Sequence, residues 1–155
     1  MDILIKPAAE ADLEACAALV RKSFDRFVAP GYSPEGRETF YRFIRVEELR
    51  SLLGRGFSIL CAWQEEELAG VLAVREVSHI SLFFVDPRYM HRGVGRRLMA
   101  SLLEELRSRK PLVTEVTVHS SPYARAIYRQ LGFRAVGEQL EQNGIRFVPM
   151  KLDLL

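Results

Sequence analysis

Two glycines, Gly93 and Gly95, stand one residue apart where an apolar pattern changes into a helical one. Residues 80–85 are mostly apolar and predict a buried strand, and leucines spaced by four from Leu98 to Leu106 predict the helix that follows. The first amides of a helix lack partners within the helix and lie at the positive end of its dipole, so they bind anions. Glycine lets a phosphate approach the backbone without meeting a Cβ atom. The spacing therefore predicts a phosphate or pyrophosphate site in this turn.

The charges around this turn favour one small polyanion. Arg92, Arg96 and Arg97 supply cations close to the two glycines. The turn lacks the Gly-Lys-Ser/Thr run of a nucleoside-triphosphate loop, and Leu98 stands where a dinucleotide fingerprint needs its third glycine. We therefore expect neither of these two nucleotide-binding motifs.

The composition is that of an ordinary globular domain. The chain has 155 residues, of which 48% are hydrophobic and 27% charged, so we expect residues 1–155 to form one domain with a sizeable core. The formal net charge of +2 is too small to indicate a nucleic acid or an anionic membrane as a partner. No apolar run approaches the roughly 20 residues that span a bilayer, and the first residues do not resemble a signal peptide.

The cysteines and histidines suggest no metal or disulfide chemistry. Cys16 falls on the apolar face of a predicted helix and Cys61 within a predicted strand, so we expect two buried small hydrophobic side chains rather than a disulfide or a nucleophile. Cytoplasmic localisation follows as the default expectation. The three histidines lack the spacing of metal ligands, so no metal site is predicted.

The periodicity of apolar residues predicts strands and helices in a mixed order. Three consecutive strands favour an antiparallel meander, and Asn143-Gly144 is a hairpin turn signal. Ser121 is expected to cap a helix with Pro122 at its first position, and Pro149 must lie at a sheet edge or a bulge. Strands are predicted at residues 3–5, 57–63, 68–77, 78–85, 112–118, 133–140 and 145–152, and helices at residues 10–27, 34–53 (continuous or restarting at residue 46), 93–109 and 122–131.

The glycine turn resembles the coenzyme A loop of the GCN5-related N-acetyltransferases, the GNAT family. The family pattern is Gln/Arg-x-x-Gly-x-Gly/Ala after a strand that ends in Val-x-Pro, and here Val85-Asp86-Pro87 and Gly93-Val94-Gly95 match it. Met90 departs from the pattern, because it occupies the Gln/Arg position. Family contacts at that position come largely from backbone amides, so the resemblance survives the change.

A second block, at residues 121–133, is similar to the family's Asn-x-x-Ala-x-x-x-Tyr-x-x-x-Gly-Phe. Tyr128, Gly132 and Phe133 match in register, and Ser121 stands where the family often has Asn. Gly132 is expected to end the helix in the left-handed conformation, with Phe133 turning inward. Residues 31–36 and 143–150 also resemble a bacterial subgroup of the family, a likeness that implies no particular acceptor.

The resemblance implies both a fold and an activity. The fold is an α+β arrangement, a mixed and mostly antiparallel sheet of about seven strands that splays between its fourth and fifth strands, with about four helices. The activity is transfer of the acetyl group of acetyl-CoA to a primary amine, on a small molecule or a peptide, by direct attack in a ternary complex. Acetyl-CoA is the implied cosubstrate.

The resemblance also implies which residues hold the cosubstrate. Pantetheine is expected to pair with residues 83–85 as an added strand, with a backbone amide near Phe84 or Val85 meeting the thioester oxygen, and the pyrophosphate is expected on the amides of residues 91–96. The implied set is Phe83, Phe84, Val85, Met90, His91, Arg92, Gly93, Val94, Gly95, Arg96 and Ser121.

Tyr128 is the implied acid for the leaving thiolate, although a core tyrosine is the alternative. For the base, His79 lies eleven residues before Met90, where some family members place a glutamate. His119 and a chain of water molecules are the other two candidates. We expect Tyr32 and His119 beside the acceptor, with core packing again the alternative for Tyr32.

Three functional hypotheses remain at this point. The first is the acetyltransferase. The second is a non-catalytic module that binds acyl-CoA in the same groove, which the loss of Gln/Arg at Met90 favours and the retention of Tyr128 disfavours. The third, a nucleic-acid binder, conflicts with the near-neutral charge. We expect no nucleic-acid or membrane partner, and the oligomeric state, a homodimer included, stays open.

Overall fold

A buried strand, β3 (Glu67–Arg75), lies at the centre of the fold in the computed structural model, which describes residues 2–155. Its seven inner residues are all buried, so the strand needs cover on both faces. β2 (Phe57–Gln64) and β4 (His79–Val85) flank β3 antiparallel, and β1 (Leu4–Pro7) extends the sheet beyond β2. The predicted antiparallel meander is confirmed.

The second half of the sheet joins the first through a parallel pair. β5 (Glu115–Ser120) runs parallel to β4, and β8 (Ile145–Asp153) runs antiparallel to β5. The short strands β6 (Arg134–Ala135) and β7 (Leu140–Gln142) both pair with β8. The sheet is therefore mixed and mostly antiparallel, as predicted, with eight strands because the strand expected at residues 133–140 is interrupted.

Helices cover both faces of this sheet. α1 (Leu13–Ser23), α2 (Pro34–Phe43) and α3 (Val46–Leu52) build one core, and α4 (Val94–Arg107) and α5 (Arg125–Gln130) build the other. α4 lies very close to β3, because a Cβ atom added at Gly70 would be 2.9 Å from Leu98 Cδ1. The five helices are one more than the sequence predicted, since residues 34–53 form two separate helices.

Several element boundaries differ from the prediction. The helix predicted at residues 10–27 divides into a 3-10 turn, α1 and a π-helical turn at Phe24–Val28. The strand predicted at residues 112–118 begins three residues later, since Leu112 is 60% exposed and stays outside the sheet. Ser121 Oγ accepts a hydrogen bond from the Ala124 amide at 3.1 Å, as a cap would, but the regular helix begins only at Arg125.

Pro149 meets the predicted edge position only locally, because β8 pairs with β5 on one side, where Pro149 is in register with His119. It faces the gap between β6 and β7, and its carbonyl accepts a hydrogen bond of 2.9 Å from the Val136 amide. A Cβ atom at Gly137 would lie 3.0 Å from Pro149 Cγ, so the proline ring fills this gap. Because Pro149 has no N–H to donate, the pairing on this side of β8 is interrupted between β6 and β7.

Cys16 and Cys61 are both buried free cysteines, as predicted. Their sulfur atoms lie 3.5 Å apart between α1 and β2, and the hydrogen bond between them, with burial, raises the pKa of the Cys61 thiol. Within residues 2–155, no helix is long and apolar enough to cross a lipid bilayer.

Candidate active-site cleft

A β-bulge at Ser81 separates β4 from β5. On the β3 side, Leu82 pairs with Ala73 and Ile80 with Val74, so Ser81 is an extra residue without a partner in β3. Because of this insertion, Ile80 packs in the core under α4, whereas Leu82 packs in the core under α1. Bulges bend the strand that carries them.

The β4–β5 pairing stops at the bulge. Only His79↔Thr117 and Ile80↔Val118 are in register, and a cleft of about 560 Å³ opens beyond them. That volume is typical of small-molecule sites. Of the residues predicted for the site, those that line the cleft are Tyr32, Phe83, Phe84, Val85, Met90, His91, Gly93, Val94, Gly95, Arg96, His119, Ser121 and Tyr128.

The glycine turn forms one end of this cleft. Gly93 has a φ of 81° and is the N-terminal cap of α4, and as a glycine it has no side chain to accept a hydrogen bond from the first amides of the helix. The cleft is lined by the residues of that first turn, Val94, Gly95 and Arg96, and the turn has no acidic side chain. Backbone amides at a helix N-terminus with an arginine beside them suit a phosphate group. Arg92 lies outside the lining, with its guanidinium 5.9 Å from the Tyr89 ring centroid.

Tyr128 lies on the α5 side of the cleft and is 6% exposed. Its ring is 5.9 Å from that of Phe83 on β4 and 5.3 Å from that of Phe133. Gly132, with a φ of 101°, ends the helix in the left-handed conformation and Phe133 turns inward, as predicted. Burial raises the pKa of the phenol, so the group stays protonated at neutral pH beside the cleft that it lines.

His79 and His119 meet at the base of the cleft, with ring centroids 4.7 Å apart. His79 Nδ1 lies 2.8 Å from Thr117 Oγ1 and the side chain is not part of the lining, whereas His119 lines the cleft and stacks on Phe147 at 4.5 Å. Burial, with smaller effects of Arg75 and His119, lowers the pKa of His79 to about 4. Burial and Arg75 also lower the pKa of His119.

Residues 28–154 match the family model of the acetyltransferase (GNAT) domain, which is most of the chain. The chain belongs to the GNAT acetyltransferase family. A UPF0039 protein of Schizosaccharomyces pombe is 30% identical over 80 residues, which are 52% of this chain and 53% of that protein, so the chain spans about half the length of this curated relative.

Solved structures share the GNAT fold over almost the full chain. A GCN5-related N-acetyltransferase of Rhodopseudomonas palustris superposes with a TM-score of 0.84 at 23% identity, covering 99% of this chain and 97% of that one. The PaiA N-acetyltransferase of Thermoplasma acidophilum, solved in complex with coenzyme A, gives a TM-score of 0.78 at 21% identity and covers 99% of both chains. At these identities the likeness establishes the fold.

The other wall of the GNAT cleft is aromatic. Phe24 stacks on Phe40 with centroids 4.0 Å apart and meets Tyr32 edge-on at 5.1 Å; Phe40 and Tyr32 line the cleft, and the fully buried Phe24 packs behind them. The loop that carries Tyr32 is tied by Arg37, which donates to the Tyr32 carbonyl at 2.7 Å, and by Arg146, which donates to the Gly31 carbonyl at 2.9 Å. Burial raises the pKa of Tyr32 to about 12.

Two serines of the cleft were missed by the sequence interpretation. Ser81 Oγ is buried without a hydrogen-bond partner, and Ser23 Oγ donates to the Val85 carbonyl at 3.2 Å. The signal for Ser81 was the single polar residue within the apolar run at residues 80–85. Ser23 could not be singled out, because only the packing of α1 on β4 brings it there. Among residues 2–155, no cluster of three or more His, Cys, Asp or Glu residues is arranged to hold a metal ion.

Proposed function

We propose that this protein is an N-acetyltransferase that moves the acetyl group of acetyl-CoA to a primary amine, on a small molecule or a peptide, within a ternary complex. The observation that carries the proposal is the cleft between β4 and β5. It has a helix N-terminus with Arg96 at one end, and Tyr128 and His119 line it near the point where the strands part.

The residues around the cleft fit coenzyme A. The diphosphate would lie on the amides of residues 91–96, and the pantetheine would run along residues 83–85 with Ser121 on the opposite side. The first-turn amides of α4, which have no partner within the helix, and the lack of acidic side chains in that turn suit the diphosphate charge. The related PaiA structure was solved in complex with coenzyme A, which supports this assignment.

In the reaction, the bond from the amine nitrogen to the acetyl carbon forms and the bond from that carbon to sulfur breaks. The backbone amide near Phe84 or Val85 would stabilise the charge that develops on the carbonyl oxygen. The Tyr128 phenol, kept protonated by burial, would donate its proton to the leaving sulfur.

The amine must also lose a proton, since an ammonium group has no lone pair for attack. Of His79, His119 and water, the side chain that lines the cleft is His119. A lowered pKa leaves its imidazole neutral at pH 7 and able to accept a proton, directly or through water. His79, held by Thr117, would support His119 from behind.

The test compares the wild type with Tyr128→Phe in two measurements. Saturating acetyl-CoA or CoA, but not NADPH, should raise the melting temperature of both proteins, because a ligand at 100 times its Kd adds about 2.7 kcal/mol of stability. With an amine that the wild type acetylates, Tyr128→Phe should lower kcat about a hundredfold or more, since its acid is gone.

Other outcomes separate the alternatives. Binding of acetyl-CoA with no thiol release across a broad panel of amines would identify the non-catalytic acyl-CoA module instead. An unchanged kcat for Tyr128→Phe, with the chemical step shown to limit turnover, would remove the acid role. No thermal shift at millimolar acetyl-CoA would reject both acyl-CoA functions.

A further inference from the structure

The acceptor end of the cleft, defined by Phe24, Phe27, Val28, Tyr32 and Phe40, is almost wholly apolar. Its side chains come from the π-helical turn after α1, the loop before α2 and α2 itself. Within residues 2–155, no aspartate or glutamate lines the cleft. A positive charge on an acceptor would therefore lie against side chains that include no carboxylate.

The nearby carboxylates are already engaged. Asp25 accepts a hydrogen bond from the Tyr41 hydroxyl and lies 3.9 Å from the Arg21 guanidinium. Asp86 accepts a hydrogen bond of 2.8 Å from Lys22, and its buried carboxylate also pairs with Arg88. Neither carboxylate belongs to the lining, so neither is available to an incoming ammonium group.

The polar group on this wall cannot serve as a counter-charge either. Tyr32 stays a neutral phenol at physiological pH, since burial raises its pKa to about 12. A neutral hydroxyl can accept or donate a hydrogen bond, but it cannot compensate a buried cation. The wall therefore suits an amine that reaches the cleft in its neutral form.

On this basis, and resting on the acetyltransferase function proposed above, we propose that the acceptor is a primary monoamine carried on an aromatic or branched apolar group. The ring or branched group packs against Tyr32 and Phe40, which the buried Phe24 supports from behind, and the amine nitrogen points toward His119. Polyamines, amino sugars and lysine-like chains with a second charge are disfavoured, because each further ammonium or hydroxyl group would be buried without a partner.

The class of ligand can be tested by binding, without catalysis. Isothermal titration calorimetry of the protein saturated with CoA compares two pairs of amines. The first pair is phenethylamine and spermidine. The second pair is hexylamine and hexamethylenediamine, which differ from each other only by the second ammonium group. We expect both monoamines to bind at least roughly tenfold more tightly than the diamine and the triamine. Phenethylamine should bind best, because its ring matches the aromatic wall.

Two tyrosines of the same aromatic cluster provide a matched pair of variants. Tyr32 and Tyr41 both meet Phe24 edge-on, at 5.1 and 5.7 Å, but only Tyr32 lines the cleft. Tyr32→Ala should weaken phenethylamine binding roughly tenfold, and Tyr41→Ala should leave it unchanged. Phe27→Glu, which adds a carboxylate to the lining, should strengthen hexamethylenediamine binding relative to hexylamine.

The outcomes distinguish this proposal from the function on which it rests. Equal or tighter binding of spermidine, no measurable binding of phenethylamine, or equal effects of Tyr32→Ala and Tyr41→Ala would each overturn the proposed acceptor class. If phenethylamine binds as expected yet is never acetylated, the acceptor class of the cleft stands and the acetyltransferase function fails. Thermal melts of the three variants verify that each is folded.

Discussion

Both imidazoles at the base of the cleft are neutral at pH 7, but they differ in what their nitrogens face. His79 Nδ1 is 2.8 Å from Thr117 Oγ1. His79 and Thr117 are also the first residue pair between β4 and β5, so this contact holds the two strands together. His119, in contrast, lines the cleft. We therefore assign His79 the role of fixing the strand junction and of orienting His119.

His79 makes the stability of the protein depend on pH in a defined window. Its pKa is about 4 in the folded state and about 6.5 when unfolded, so between these values the folded state binds fewer protons. The free energy of unfolding should therefore be highest above pH 6.5 and should fall as the pH drops toward 4. Urea unfolding at several pH values measures this slope.

The matched variants are His79→Asn and His91→Asn. His79→Asn removes one titrating ring and should make the dependence between pH 6.5 and 4 less steep, with His119, whose pKa is also lowered, contributing to the slope that remains. His91 is exposed with a φ of 64°, a conformation that asparagine tolerates, so His91→Asn should keep the wild-type slope. A wild-type slope in His79→Asn would mean that other groups control acid unfolding.

Residues whose geometry is local could be predicted from the sequence, and those set by distant contacts could not. The left-handed conformation of Gly132 was predicted from its place after a helical pattern, and the turn at Gly93 from its place before one. The position of His79 behind His119 depends on the bulge at Ser81 and on Thr117 of another strand. No pattern within the sequence indicates either of these two features.

At the scale of elements, the hairpin of β7 and β8 is clasped to the start of α2. Ser33 Oγ accepts a hydrogen bond from the Gly36 amide and donates one of 3.1 Å to the Gly144 carbonyl. A Cβ atom at Gly36 would lie 2.3 Å from Gly144 O, a backbone atom that cannot turn aside. This contact also orders the loop that carries Tyr32, because Arg146 of the same hairpin binds the Gly31 carbonyl.

Gly36→Ala should therefore separate the hairpin from α2. We expect a loss of about 1–3 kcal/mol in the free energy of unfolding, since the added methyl group would clash with the backbone carbonyl of Gly144. Gly31→Ala, in the same loop, is the control, because a Cβ atom there meets nothing within 4 Å and the change should stay within about 0.5 kcal/mol. Equal stability of the two variants in urea titrations would show that the contact is not tight.

The sequence predicted the type and order of nearly every element but not this clasp. Residues 31–36 and 143–150 were noted only as two separate sequence motifs. Their contact joins residues more than a hundred positions apart in the chain, which local periodicity does not indicate. The break between β6 and β7 was missed for a similar reason. The prediction ran one strand through Gly137 and the two polar residues after it, whereas Gly137 packs against Pro149 of β8 and lies outside both paired segments.

For the whole molecule, the question is whether the splayed sheet still behaves as one unit. Only two residue pairs join β4 to β5, so the sheet alone would be weak at this junction. The core under α4 crosses the junction, since Leu98 and Leu72 belong to the same cluster as Val116 and Val148. Packing across the splay, rather than strand pairing, is what couples the two halves.

From this coupling we propose that the chain behaves as a single domain, which predicts one unfolding transition. Trp63 fluorescence reports on β2 in the first half, and hydrogen exchange of the Val116 and Val148 amides reports on β5 and β8 in the second. All three probes should give the same free energy of unfolding. Leu98→Ala should lower each of them by the same amount, about 2–5 kcal/mol, because that side chain is fully buried in the shared core.

Leu112→Ala is the control for this prediction, because Leu112 is 60% exposed and its truncation should change stability by less than about 0.5 kcal/mol. A loss in Leu98→Ala that appears at Trp63 but not at Val116 and Val148 would contradict the argument. It would mean that the halves unfold separately and that the cleft lies between two independent units. Coincident losses would instead mean that the core under α4 joins the two halves into one cooperative unit, so that the cleft is part of the stable fold.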